Sequence, residues 1–271
     1  MSANEKILLI GFGNMGQALV RGWLRVGHAA SAIRVVDSVP AARAVATALG
    51  VEAHEVVRAG AASPDVVVLA VKPNQLRSVL PSCAPFAARG AVVLSIAAGK
   101  TIAEIAAGLG AVAAVVRAMP NTPAAVGQGM TALVANAGVS AAQRVLCGEL
   151  LAAVGAVAWL DDEAHMDAVT AISGSGPAYV FLLIECLEQA AIDLGLKAAL
   201  AKQLALATVA GAGAYAAAAK ETPADLRRRV TSPNGTTQAA LDVLMAEPGM
   251  RELLARATRA AAKRSRELAT A

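Results

Sequence analysis

The run "KILLIGFGNMGQALVRGWL", residues 6–24, decides the fold. A short branched apolar stretch ends at Gly11, and Gly13 and Gly16 follow in the spacing GxGxxG. Alone, that spacing is weak. Here it sits at a strand-to-helix turn that opens an α/β domain, the setting in which it binds a dinucleotide. Gly11 permits the tight turn, Gly13 lets the backbone approach a pyrophosphate, and Gly16 lets the helix pack closely on the sheet. The amides of the turn and the positive end of the helix supply the anion site.

Beyond this run, short branched stretches alternate with helix-like segments to about residue 160. Strands are expected at KILLI (6–10), AIRVVD (32–37), DVVVLAV (65–71), AVVLSI (91–96), AVAAVV (111–116), MTALVA (130–135) and AVAWL (156–160). The first five are almost wholly apolar, as strands covered on both faces should be. "TIAE" at Thr101–Glu104 and "SAAQ" at Ser140–Gln143 fit capping boxes. The pattern predicts a parallel, doubly wound α/β sheet. After Asp161-Asp162 only helices are expected, at 163–171, 177–194, 197–219, 223–230, 236–246 and 249–268. Thr222-Pro223 reads as a cap followed by proline at the first helical position. The chain thus divides into an α/β domain over 1–162 and an all-helical domain over 163–271.

Hydrophobic residues make up 56% of the 271 and aromatics only 3%, so the apolar excess is mostly alanine. Helices of small side chains must pack closely, and such a chain often needs a partner subunit to complete its core. The run "LALATVAGAGAYAAAA", Leu204–Ala219, is short of a membrane span and reads as a buried soluble helix. The N-terminal MSANEKILLIGFG has neither the basic start nor the longer apolar run of a secretory signal. Cys83, Cys147 and Cys186 are scattered, with no disulfide framework and no metal spacing. A cytoplasmic protein without a bound metal is expected. Much of the net charge of +4 lies in the last helix, which reads as a solvated face. With few aromatics to stack on bases, no nucleic-acid partner is expected, and no membrane partner either.

Asp37 ends the second strand, 21 residues beyond Gly16. A carboxylate there accepts from adenosine ribose hydroxyls and repels a 2′-phosphate, which favours NADH. Ser38 follows, and Arg34 and Arg43 lie near in sequence, so NADPH stays open. Ala70-Val71-Lys72-Pro73 closes the 65–71 strand, where ligand loops belong. Lys72 there is either a nicotinamide-half contact or a solvated lysine at a helix start. "SIAAG", Ser95–Gly99, has small residues that allow a flat ring close to the backbone. "RAMPNTPAAVG", Arg117–Gly127, is a rigid polar loop where the nicotinamide should emerge.

In the helical half, "VTSPNGTT", residues 230–237, interrupts the helices. An Asn-Gly turn aims successive amides inward, and the helix starting near Thr236 adds its positive end. Those donors suit a small carboxylate. Thr236 or Thr237 can also be a plain N-cap. Both roles fit if Thr236 caps and Thr237 meets the substrate. "SGSG", Ser173–Gly176, serves either ligand contact or tight packing. His28, His54 and His165 lie outside these loops and read as structural or surface residues.

The blocks "GFGNMG", "AVKP", "SIAAG", "RAMPNTPA", "SGSGPAYVF" and "VTSPNGTT" occur in that order over nearly the whole chain. Together they closely resemble pyrroline-5-carboxylate reductase. The resemblance implies an N-terminal Rossmann-like doubly wound sheet and an all-helical dimerisation domain. It implies reduction of the cyclic imine Δ1-pyrroline-5-carboxylate to L-proline with NADPH or NADH, the last step of proline biosynthesis. It also implies interlocked homodimers with a shared active site, which can assemble into a homodecamer. Cofactor contacts carry over to the glycine loop (Gly11, Phe12, Gly13, Asn14, Met15 and Gly16) and to the turn at Lys72 and Pro73, and Asp37, Ser38, Ala70 and Val71 join them by their place at strand ends. They carry over also to Ala97 and Ala98 and to Met119, Pro120 and Asn121. The substrate carboxylate falls to Ser232 and to amides near Asn234, Gly235, Thr236 and Thr237, and the ring nitrogen to Thr237, the one residue assigned to catalysis. Two features depart from the family. Its usual Ser-Pro-Gly-Gly is Ser-Pro-Asn-Gly here, and Asn tolerates positive φ. The segment "EAHEVVRAG", residues 52–60, lacks an Asn that the family often has near the adenosine.

Two rivals are a β-hydroxyacid-type dehydrogenase and a non-catalytic NAD(P)-binding protein. The first needs an acid/base lysine on the first long helix after the cofactor domain, and Pro177–Gly195 holds no lysine. The second leaves the polar loops without a purpose.

Overall fold

A computed structural model of the chain describes residues 5–58, 62–110 and 113–269. Residues 1–4, residues 59 and 60 of the 52–60 segment, 111–112 of the expected 111–116 strand, and 270–271 lie outside it. The described residues form two compact units, one of residues 5–174 with 261–269 and one of residues 175–260. The division expected at 162 thus lies within the first unit, to which 163–174 belong.

The first unit is built on strands β1 (Ile7–Ile10), β2 (Ile33–Val36), β3 (Glu52–His54), β4 (Val66–Leu69), β5 (Val92–Ser95), β6 (Val115–Met119), β7 (Gly129–Ala135) and β8 (Gly155–Trp159). Their order is β3-β2-β1-β4-β5-β6-β7-β8. Helices α1 (Asn14–Arg25), α2 (Pro40–Ala48), α3 (Leu76–Ala87), α4 (Ile102–Leu109) and α5 (Ala141–Ala152) connect them. Alternation along β1 shows why the strands are apolar throughout. Ile7 and Leu9 join a core with α1, α2 and α5, while Leu8 and Ile10 join a second core with α3 and α4. Trp23 of α1 is fully buried, and its indole N–H donates to the Leu150 carbonyl at 2.8 Å.

The sheet is mixed rather than all-parallel. β7 pairs antiparallel with β6, and β8 runs parallel to β7. A parallel return needs a crossover of about a dozen residues or more. Only residues 120–128 lie between β6 and β7, and a 3-10 turn at Thr122–Val126 occupies most of them. β3 was not expected. It has three residues at the sheet edge, too few to show a periodicity. The capping boxes differ. Ser140 and Gln143 form both reciprocal bonds, but only Thr101 makes its half with Glu104. The Glu104 carboxylate turns instead to Lys100 and Arg77. Burial pushes its carboxyl pKa up, but the bonds and charges of Lys100 and Arg77 outweigh that and hold it below the ordinary value.

A short helix, α6 (Met166–Val169), and a wide turn at Thr170–Gly174 end the first unit's continuous stretch. Helices α7 (Gly176–Asp193), α8 (Ala198–Ala218), α9 (Pro223–Arg229), α10 (Thr236–Leu244) and α11 (Met250–Ala269) follow. α7 packs on α8. The expectation that Leu204–Ala219 is buried fails for one chain, because only Ala201 and Ala205 of α8 are buried. Phe181, Leu182, Leu200, Leu204 and Leu206 are exposed. A helix this rich in alanine has too little side chain to bury itself against one neighbour.

Leu133 sits fully buried in the reversed strand β7. Leu133→Ala should cost about 2–5 kcal/mol. A urea titration should show an earlier unfolding midpoint with the native helical signal retained; an unchanged midpoint would mean that β7 does not carry the core.

Candidate active site

Sheet order reverses direction at β1, with β2 on one side and β4 on the other. The carboxyl ends of these strands open a crevice there, the usual ligand site of doubly wound sheets. Gly11 takes φ +94°, and a Cβ on it would lie 2.6 Å from the Ala70 carbonyl oxygen. A Cβ on Gly16 would lie 2.5 Å from the Gly11 carbonyl oxygen, so α1 meets the turn without a side chain between them. At Gly13 a Cβ would meet nothing within 4 Å. The bare glycine here leaves open space rather than relieving a clash. Gly13 is also the N-cap of α1 and offers no side-chain cap. The first-turn N–H groups are therefore left for an outside acceptor. An unfilled cradle over uncapped amides fits a dinucleotide pyrophosphate.

The cleft beside this turn has a volume of about 470 Å³. Gly11, Gly13, Asp37, Ser38, Ala70, Val71 and Lys72, all expected from the sequence, line it. Among its further lining residues are Val39, Glu55, Gln75 and Ser78, which sequence reasoning missed. Asp37 does more than face a ligand. Its Oδ2 accepts from the Phe12 N–H at 2.6 Å and its Oδ1 from the Val39 N–H at 2.8 Å. The carboxylate thereby clips the glycine loop to the end of β2. Arg43 donates from Nη1 to the carbonyls of Asp37 and Ser38, at 2.8 and 2.9 Å. Lys72 is exposed, and Pro73 opens a 3-10 turn after it.

The other expected cofactor residues are placed differently. The Phe12 side chain is fully buried in the core, so only its backbone lies in the loop. Asn14 and Met15 line a separate depression along α1 with Arg21 and Thr122. Ala97 is buried and Ala98 exposed at the end of β5. Met119, Pro120 and Asn121 stand at and after the end of β6, farther along the same sheet edge. Asn121 Nδ2 donates to the Ser173 carbonyl at 3.2 Å, and its Oδ1 accepts from the Met130 N–H at 2.8 Å. A Cβ on Gly174 would lie 2.5 Å from Met119 Cε. The Ser173-Gly174 turn thus packs on the β6 loop. Below it, buried Arg117 donates to Glu163 Oε1 at 2.7 Å, and the same oxygen accepts from the Ile102 N–H at 2.9 Å. One carboxylate ties β6 to the start of α4.

In the second unit, the Ser232–Thr237 segment is a hydrogen-bonded turn. The Gly235 N–H donates to the Ser232 carbonyl at 3.1 Å. Asn234 has φ +56°, the only positive value at a non-glycine among the described residues. A left-handed third residue after proline is the signature of a type II turn, and Asn is tolerated there. A Cβ on Gly235 would lie 2.5 Å from Ser232 Oγ. Gly235, not Thr236, is the N-cap of α10, and it makes no side-chain cap. Thr236 is the first helical residue because the turn already ends at Gly235. The first amides of α10 are thus uncapped too. Ser232 and Thr236 are exposed and Thr237 half-buried.

Among the described residues, neither the cleft lining nor the 232–237 turn holds a histidine or a cysteine. Burial pushes the Cys83 thiol up to about 11 and the Cys147 thiol up to about 12. Both stay protonated at neutral pH. His28 is buried with Nε2 against the Glu5 carbonyl, and His54 pairs with Glu52. Among the described residues no group of His, Cys, Asp and Glu is arranged to hold a metal ion.

A family model described as "Pyrroline-5-carboxylate reductase dimerisation" matches residues 163–268, and one described as "NADP oxidoreductase coenzyme F420-dependent" matches residues 6–99. The chain is 48% identical to a pyrroline-5-carboxylate reductase of Pseudomonas aeruginosa over 98% of both chains. A solved pyrroline-5-carboxylate reductase from Coxiella burnetii aligns with a TM-score of 0.93 and 38% identity over 98% of both chains. A pyrroline carboxylate reductase of Plasmodium falciparum, solved with NADP bound, aligns with a TM-score of 0.86 and 28% identity, over 98% of this chain and 99% of that one. The stretch Glu163–Asp193 is long and apolar enough to cross a membrane, with 6% of its most apolar window buried in one chain. The dimerisation match covers the whole of that stretch.

The same substitution at two glycines should give opposite phenotypes. Gly16→Ala, with its Cβ against the Gly11 carbonyl, should lower the melting temperature. Gly13→Ala, in open space, should melt as the parent does yet weaken NADH binding at least about 10-fold by filling the pyrophosphate's place. Nicotinamide fluorescence titration and thermal melting read the two. Normal NADH binding by Gly13→Ala would remove this cleft from the cofactor site.

Proposed function

This chain belongs to the pyrroline-5-carboxylate reductase family, and on that premise we propose which of its residues do the work. The enzyme reduces the C=N bond of 1-pyrroline-5-carboxylate to L-proline with NAD(P)H. It is homo-oligomeric through its dimerisation domain.

In this proposal the amides of Gly13 to Gly16 hold the cofactor pyrophosphate, and Asp37 and Ser38 meet the adenosine ribose. Lys72-Pro73, Ala97-Ala98 and Met119–Asn121 frame the nicotinamide half. Asn121 acts chiefly as a brace there, since both ends of its amide are engaged within the loop. When bound, the reduced nicotinamide supplies the hydride. Ser232 and the amides of Gly235, Thr236 and Thr237 hold the substrate carboxylate, and the Thr237 hydroxyl holds the ring nitrogen. The observation that carries this is the uncapped start of α10, displayed behind the left-handed Asn234 on an exposed turn. Asn234 serves the backbone bend there, with its side chain at the rim of the carboxylate site.

The chemistry asks for orientation more than for acid catalysis. A cyclic imine that enters protonated is already a strong electrophile, so the protein's task is to hold two flat rings face to face. We infer that the cofactor cleft of one subunit works with the Ser232–Thr237 turn of its partner, and that dimers can assemble further into a decamer. Asp37 favours NADH, because its carboxylate stands where a 2′-phosphate would come.

Thr237→Ala should lower kcat/KM for the imine by about 10- to 100-fold, the usual range for one lost ligand hydrogen bond. NADH binding should change little. Unchanged turnover would take Thr237 out of the site. Asp37→Ser should shift preference toward NADPH and, because the clip on Phe12 is lost, weaken binding of both cofactors. An unaltered NADH-to-NADPH ratio would show that the carboxylate acts only as the clip.

A further inference from the structure

Glu55 was not read from the sequence as part of any site, yet it lines the cofactor cleft beside Asp37, Ser38 and Val39. Its side chain is 69% exposed, and Oε2 lies 3.7 Å from Arg43 Nη2. The other end of that guanidinium is anchored. Nη1 donates to the Asp37 and Ser38 carbonyls, which fixes Arg43 under the loop that follows β2. A nearby arginine at this strand end is the usual receptor for a 2′-phosphate. Here its free edge is turned to a carboxylate.

We propose that Glu55 is a specificity-determining residue that disables Arg43 as a phosphate receptor and so selects against NADPH. It does so by occupying the Nη2 edge of Arg43. His54, the neighbouring residue at the end of β3, has its ring nitrogen Nε2 bonded to Glu52 Oε1. Among the described residues lining the cleft, Lys72 is the one cation, and it follows β4, on the other side of β1 from β2. The inference rests on the reading that the adenosine half of the cofactor lies in this cleft. Glu55 is a cleaner lever than Asp37, because Asp37 also holds the Phe12 and Val39 amides.

Direct titration of NADH and NADPH binding by nicotinamide fluorescence, with Glu55→Gln, tests it. The exchange keeps the side chain's size and removes its charge. NADPH should bind about 10-fold more tightly relative to NADH, a shift of the size that one nearby unit charge produces. The gain should vanish when Arg43→Ala is added and should shrink as salt is raised. A Glu55→Gln enzyme with the parent's NADPH-to-NADH ratio overturns the proposal, as does a gain that survives loss of Arg43. Gly13→Ala separates this from failure of the cleft reading. If Gly13→Ala loses both cofactors while Glu55→Gln leaves the ratio alone, only Glu55's role falls. If Gly13→Ala binds both normally, the cleft assignment falls and takes the proposal with it.

Discussion

The structure depends on a close approach, the Gly11 carbonyl against Gly16 of α1, held there by the Asp37 carboxylate on the Phe12 amide. No side chain fits between turn and helix, so the helix start comes down to the sheet edge with its amides uncapped. A strand-to-helix turn this tight requires β1 buried on both faces, and the apolar alternation of Ile7 to Ile10 meets that need. The charge that the helix start attracts is negative. Asp37 is itself a negative charge drawn to the loop, and it leaves the α1 amides beyond Phe12 for a ligand.

The helical unit repeats the solution with different residues. Where the first turn uses glycine at φ +94°, the second uses Pro233 and a left-handed Asn234, and it closes at Gly235 because a side chain there would strike Ser232. Both helices begin without a side-chain cap. In the proposed function the first helix start takes a pyrophosphate and the second a single carboxylate. A hydride transfer between a dinucleotide and a small ring acid asks for those two grips and little more.

Much of this was legible in the sequence because the signals were local. Gly11, Gly13 and Gly16 declare a turn, Thr222-Pro223 declares a helix start, and Asn234 before Gly235 declares a left-handed bend. The helix limits after residue 175 fall within a few residues of expectation for that reason. What stayed hidden was set by partners distant in the chain. The reversal of β7 follows from a loop too short to cross over. Thr101 caps α4, but Glu104 leaves the box for the nearby Lys100 and for Arg77 of α3, whose approach no local pattern announces. Glu55 was invisible because a three-residue edge strand carries no period, and its meaning appears only when Arg43 is seen anchored beneath Asp37. The bareness of α7 and α8 was half legible. Alanine richness points to a partner, and one chain alone leaves most of Leu204–Ala219 unburied.

The central claim is that the two anion grips serve one reaction centre built across the subunit interface. Co-expression of a Gly13→Val subunit with a Thr237→Ala subunit, each tagged separately, tests it most directly. Each variant alone should be nearly inactive. In purified mixtures, hybrid dimers should regain about a quarter of parental turnover overall, since half the dimers are hybrid and each hybrid has one site with both grips intact. Hybrids as inactive as either parent variant would contradict a centre shared between subunits.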